Sequence, residues 1–171
     1  MIFVAHGSDW LDLGERRARC ALGPAGVKPA AEKREGDGAT PAGDWPLRCV
    51  FWRPDRRAAP LTALPGRALT PADGWCDAPD DPAYNRPVRL PYPASAERLW
   101  RDDALYDLMV VLGHNDDPPA LGLGSAIFLH QAGRDFAPTE GCIALAPPDL
   151  EALVARARLG DVLRVSAEAP P

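Results

Sequence analysis

Apolar residues along the chain fall in short runs rather than long periodic stretches. Leu108–Leu112 (LMVVL) and 126–129 (AIFL) are each bounded by Gly, Pro or Asp and read as buried strands. The opening, Met1 to Val27, mixes short apolar runs with Gly7, Gly14, Gly23 and Gly26, the spacing of a hairpin of short strands. Residues 35–45 (EGDGATPAGDW) are turn chemistry leading into a strand at Trp45–Trp52. Between Pro71 and Pro93 neither period 2 nor period 3.6 survives, which predicts one long ordered loop packed down by Trp75, Tyr84 and Tyr92. A short helix is expected from Ser95, with Glu97 in its first turn, ending before Leu105. A better one opens at Pro147-Pro148-Asp149, where proline is tolerated and the acid complements the helix dipole. Leu150, Leu153, Val154 and Ala157 share its inner face, Gly160 stops it, and Val162–Val165 closes the chain as a strand. The balance is a mainly β domain, sandwich or barrel-like, with one or two short helices and long Pro-rich loops.

Length and composition narrow the picture. At 171 residues the chain fits a single domain, residues 1–171, large enough to fold without disulfide or metal staples. Twenty prolines, more than twice the usual share, limit helix and favour ordered loops. A formal charge of −5 without a Lys/Arg stripe argues against a nucleic-acid partner. No stretch approaches about 18 uninterrupted apolar residues, so membrane insertion is not expected, and Met1–Ala5 is too short for an export segment. Cys20, Cys49, Cys76 and Cys142 are widely spaced with no CxxC pair, so no metal site is expected.

The candidate chemistry lies in residues 130–145, HQAGRDFAPTEGCIAL. It places His130 at a strand end and Cys142 directly after Gly141, with a polar loop between. An imidazole near a thiol raises its thiolate fraction, which makes a nucleophile. Gly141 lets a substrate carbonyl approach the backbone, where the N–H groups of Gly141 and Cys142 are candidate oxyanion donors. Taken alone, each residue type is commonly an inert core residue.

Two segments together carry more. Thr139-Glu140-Gly141-Cys142-Ile143 after the strand that delivers His130, with Gly36-Asp37-Gly38-Ala39-Thr40-Pro41-Ala42-Gly43 far upstream, resembles the YkuD-type L,D-transpeptidase catalytic domain. The resemblance spans roughly Gly26 to Val165. It implies a β-rich sandwich whose cysteine attacks the L-centre carbonyl of an L,D bond in a peptidoglycan stem peptide. Cys142 would be the nucleophile, His130 its base and Gly141 part of the oxyanion hole, without metal or organic cofactor. The acyl-enzyme would pass to an amine of a neighbouring stem, forming a cross-link. With water as acceptor the same chemistry makes an L,D-carboxypeptidase, and a third reading is a wall-binding module that kept only the scaffold. The first implies the periplasm or cell wall, the second the cytoplasm; a monomer is expected.

Three departures from the family pattern bear on substrate recognition. Glu140 stands where the family commonly has His, Ala144 where it commonly has Arg, and the loop from His130 to Thr139 is short. His114, in Gly113-His114-Asn115, is either a replacement for that histidine or a surface loop residue. Tyr84 and Arg86 are candidates for gripping a stem-peptide carboxylate from the Pro-rich segment; Asn115, Thr139 and Glu140 complete the substrate-binding candidates. His6 is expected at the surface.

Overall fold

The computed structural model describes residues 1–168. Its strands are β1 (Ile2–His6), β2 (Trp10–Asp12), β3 (Arg17–Ala21), β4 (Val27–Pro29), β5 (Thr40–Trp52), β6 (Gly66–Ala68), β7 (Asp73–Cys76), β8 (Pro87–Arg89), β9 (Ala96–Arg98), β10 (Leu108–Leu112), β11 (Phe128–Gln131), β12 (Ile143–Leu145) and β13 (Val162–Ser166). Helix α1 (Pro147–Arg156) precedes β13. In the 10-stranded sheet, β10, β11, β12, β3, β2, β1, β13 and β5 follow edge to edge, and a β10–β5 pairing joins the two ends. The sheet thereby closes into a barrel, as the mainly β pattern predicts.

Closure rests on β5, which is longer than the predicted Trp45–Trp52 strand. Gly43–Pro46 pairs with β13, whereas Leu47–Trp52 turns to pair with β10. Thr40-Pro41 is therefore extended chain on the sheet, not turn, which agrees with the bias of a residue before proline toward β conformation. The interior is apolar: Phe3, Leu11, Val50, Val110, Leu129 and Leu163 are fully buried, and Leu150, Leu153 and Val154 of α1 pack against them.

Residues 71–93 are not one loop. They contribute β7 and β8, which join β9 in a separate three-stranded sheet, order β8-β7-β9. The helix expected from Ser95 is strand β9: Ala96, Glu97 and Arg98 pair with Cys76, Trp75 and Gly74. A segment that short cannot sustain a helix alone, and the open edge of β7 supplies backbone partners it would otherwise lack. The small sheet packs through Trp75 and Leu99 onto Phe128 and Met109 on the outer face of the barrel. Strand β10 consequently buries both faces, Leu108, Val110 and Leu112 toward the barrel interior and Met109 and Val111 toward the second cluster. His6 is also corrected: it is 7% exposed, held between the chain ends with Nδ1 at 3.3 Å from the Glu168 carbonyl.

Candidate active site

The register of β11 and β12 fixes the placement of the sulfur and the imidazole. The two strands are parallel, with Leu129 opposite Ile143 and His130 opposite Ala144. Leu129 and Ile143 both point into the barrel core. Side chains alternate along a strand, so Phe128 and His130 face outward, and Cys142, one residue before Ile143, shares that face. Cys142 is thus diagonal to His130, and both line one cleft of about 670 Å³.

The turn that presents Cys142 is built by its neighbours. Gly141 has φ of +124°, and a Cβ there would stand 2.7 Å from the Ala39 carbonyl oxygen, so only glycine fits. Thr139 ties the turn: its hydroxyl donates to the Cys142 carbonyl at 2.6 Å and accepts the Gly141 N–H at 3.2 Å. Opposite it, the GDG segment folds around Asp37, which accepts from the Ala39 and Arg34 amides and the buried Lys33 ammonium. These bonds outweigh burial and hold the Asp37 carboxyl well below its ordinary range. The turn brings Glu35, Gly36 and Gly38 to the cleft.

At rest the thiol is held by backbone. Its Sγ donates to the Ala126 carbonyl at 3.2 Å and accepts from the Phe128 amide at 3.3 Å. Burial pushes the thiol up to about 12, and the Glu97 carboxylate adds to the rise. The imidazole Nδ1 of His130 lies 2.7 Å from the Gln131 carbonyl. A carbonyl only accepts, so Nδ1 carries the proton and Nε2 is the basic nitrogen. Burial lowers this histidine to about 4, against the opposing effect of the Gln131 bond. At neutral pH the pair is therefore a neutral thiol beside a neutral imidazole.

Of the other predicted site residues, Glu140 and Thr139 line the cleft. His114, Asn115, Tyr84 and Arg86 do not. His114 is buried, its ring edge-on to Trp45 at 4.7 Å and its Nε2–H donated to the Leu123 carbonyl at 3.1 Å. Asn115 closes the loop that follows, donating to the carbonyls of Ala120 and Gly124 and accepting the Ala120 amide. Tyr84 is buried with its hydroxyl donated to Glu35 Oε2 at 2.5 Å, so it steers a cleft carboxylate from behind. Arg86 is half-buried. Its neighbour Asn85 links the small sheet to the barrel, accepting from Trp75 Nε1 and the Ala126 amide and donating to the carbonyls of His114 and Asn115.

Sequence reasoning missed Glu97, Arg101, Tyr106 and Asp77, all of which line the cleft. Tyr106 donates to Glu97 Oε1 at 2.5 Å and sets its ring edge-on to His130 at 5.3 Å. Burial raises the Glu97 carboxyl to about 7, partly offset by the Tyr106 bond and by Arg101. The signal was available only through the pairing of β9 with β7, which a helical reading of Ser95 onward conceals. Among the described residues no group of three His, Cys, Asp or Glu is placed to hold a metal ion, and no helix is long and apolar enough to cross a membrane.

No curated protein matches the chain. Among solved structures it is similar to the helical cell shape determining protein Pgp2 from Campylobacter jejuni, at 14% identity and a TM-score of 0.47. The match covers 99% of this chain and 48% of that one, so the chain spans about half that protein's length. The model of the YkuD family, described as the L,D-transpeptidase catalytic domain, matches residues 6–165. With nearly the whole barrel and both halves of the cleft inside that match, the chain belongs to the YkuD L,D-transpeptidase catalytic-domain family.

Proposed function

We propose that this domain is a peptidoglycan L,D-transpeptidase, acting at the cell wall on stem peptides, with Cys142 as nucleophile and His130 as its base. The observation that carries the reading is the shared outward face of β11 and β12, which opens sulfur and imidazole into one cleft with Nε2 unprotonated. Because both groups are neutral at rest, deprotonation accompanies attack. The S–H turns from the Ala126 carbonyl toward Nε2, sulfur bonds to the L-centre carbonyl carbon, and the imidazolium protonates the departing amine. A thioester remains. An amine of a second stem then attacks it; the C–N bond forms, the C–S bond breaks, and His130 returns a proton to the sulfur. The Cys142 amide is the oxyanion donor in this reading, and the Gly141 N–H joins it by exchanging its Thr139 partner for the substrate oxygen.

The test is to incubate the protein with a disaccharide tetrapeptide and weigh the products. Cross-linked dimers that have lost one terminal residue are expected, and Cys142→Ala lowers their formation by at least about 10³-fold with thermal unfolding unchanged. Tripeptide without dimer would assign water as the acceptor, and a fully active Cys142→Ala protein would remove the mechanism.

A further inference from the structure

Transfer to an amine raises a proton problem that Cys142 and His130 do not solve. In the first half-reaction His130 takes the thiol proton and gives it to the leaving amine, ending neutral. In the second, the acceptor arrives as an ammonium. It must lose one proton before it can attack and a second as the amide forms. His130 accounts for the second, which passes to the departing sulfur; the first needs another acceptor inside the cleft.

We propose that Glu97 is that acceptor: it receives the ammonium of the incoming stem and takes its proton, so that amine rather than water resolves the acyl-enzyme. This rests on the transpeptidase reading of Cys142. Glu97, on β9, lines the same cleft as Cys142 and His130. Its side chain is 25% exposed, open to a ligand but shielded from bulk water. Oε1 is fixed by the Tyr106 hydroxyl at 2.5 Å, and the Tyr106 ring packs against both His130 and Phe128, whose amide bonds Cys142 Sγ. The carboxylate is therefore positioned from the same side chains that frame the nucleophile.

The charges around Glu97 fit a cationic visitor. Glu35, Asp77 and Glu140 also line the cleft, against one guanidinium, Arg101. Arg101 stands 3.7 Å from Glu97 but is engaged by Asp103 through both Nε and Nη2, which leaves Glu97 incompletely neutralised. Asp77 and Glu140 oppose its ionisation, Arg101 and the Tyr106 bond favour it, and burial dominates, bringing the carboxyl to about 7. Both forms are thus accessible at neutral pH, as a proton acceptor in turnover requires. In the step itself, ammonium and carboxylate become amine and carboxylic acid. The amine forms the C–N bond as the C–S bond breaks, and Glu97 releases its proton to solvent.

The experiment separates the two half-reactions. A disaccharide tetrapeptide serves as donor and an isotope-labelled disaccharide tripeptide as amine, with acyl-enzyme followed by intact-protein mass and products by their masses. Glu97→Gln is expected to lose transfer by about 10²-fold more than it loses acyl-enzyme formation, and to release unlabelled tripeptide by hydrolysis instead. Its residual transfer loses the rise with pH centred near 7, and Glu97→Asp recovers part of the rate. Equal loss in both half-reactions, or unchanged transfer, overturns the role of Glu97. Acyl-enzyme that only hydrolyses in the unmodified protein also overturns it, leaving Cys142 as nucleophile; absence of acyl-enzyme altogether removes the transpeptidase reading and this proposal with it.

Discussion

The barrel and the small sheet that walls its cleft are held by different forces. The barrel interior is a continuous apolar cluster, from Phe3 on β1 to Leu163 on β13, enclosed by a sheet without a free seam. The three-stranded sheet has an apolar underside but is tied at its start by one buried carboxylate, Asp73, 2% exposed. Arg67 grips Asp73 with two bonds of 2.9 Å, Thr70 adds its amide at 2.6 Å and its hydroxyl at 3.0 Å, and Arg89 stands at 3.3 Å. Apolar packing degrades gradually when altered, whereas several side chains and a turn amide converge on the one Asp73 carboxylate, so its loss removes all of those bonds at once. Cys142 and His130 stand on strands of the first region and Glu97 on the second, and the two meet where Cys142 shares an apolar cluster with Trp75 and Leu99.

The largest effect that sharpens this contrast comes from Asp73→Ala. We expect a loss on the order of 2 kcal/mol from the hydrogen bonds to the carboxylate, confined to the small sheet. Amide hydrogen exchange should show β7, β8 and β9 losing protection while β10 and β11 keep theirs; uniform loss across both regions would mean that they unfold as one unit. Acid should produce the same order of events. Burial raises Asp73, but the Arg67 and Thr70 bonds outweigh it and leave the carboxyl at about 2, below its ordinary value. Stability from this group is full above about pH 4 and is lost as pH falls toward 2, so the small sheet should open first.

A smaller effect is expected inside the barrel region. Gly141→Ala forces a Cβ to 2.7 Å from the Ala39 carbonyl at a φ of +124°, costing on the order of 2 kcal/mol. Since the strain falls on the turn before Cys142, acyl-enzyme formation should drop while exchange protection of the small sheet stays unchanged. A variant acylated at the ordinary rate would show that the turn has room the geometry denies it.

The smallest effect is the pH dependence carried by Glu97. Its folded value, about 7, lies above its ordinary value of 4.5, so the associated stability is present below about pH 4.5 and is lost as pH rises through 7. Denaturant titrations at pH 5 and pH 8 should differ by on the order of 2 kcal/mol more in the unmodified protein than in Glu97→Gln. Parallel pH profiles for the two proteins would place Glu97 in a wetter setting than β9 gives it.

What could be read from the chain follows the same division. The strands of the barrel announce themselves because LMVVL and the run before His130 are buried on both faces, and burial of that kind leaves an apolar signature. Cys142 and His130 were singled out by the resemblance of their turn and strand end to the YkuD pattern, since either residue type taken alone is commonly an inert core residue. The small sheet was not: β7 reads DGWC, and β9 reads AER, with neither alternation nor a run to mark it. Its order comes from side chains bonding across distance, Asn85 to residues 114 and 115 and Tyr84 to Glu35, and composition carries no record of such partners. His114 and Asn115 illustrate the cost: both were substrate-binding candidates at a strand end, and both lie outside the cleft lining and bond the carbonyls of a loop.

The backbone bonds that hold Cys142 have a consequence for chemical durability. Peroxides and alkylating electrophiles react with the ionised sulfur, and a sulfur kept in its S–H form between an amide and a carbonyl offers them little. Under the proposed mechanism, the atom that attacks the substrate is thus chemically quiet between turnovers. All four cysteines are free, so this protection needs no disulfide.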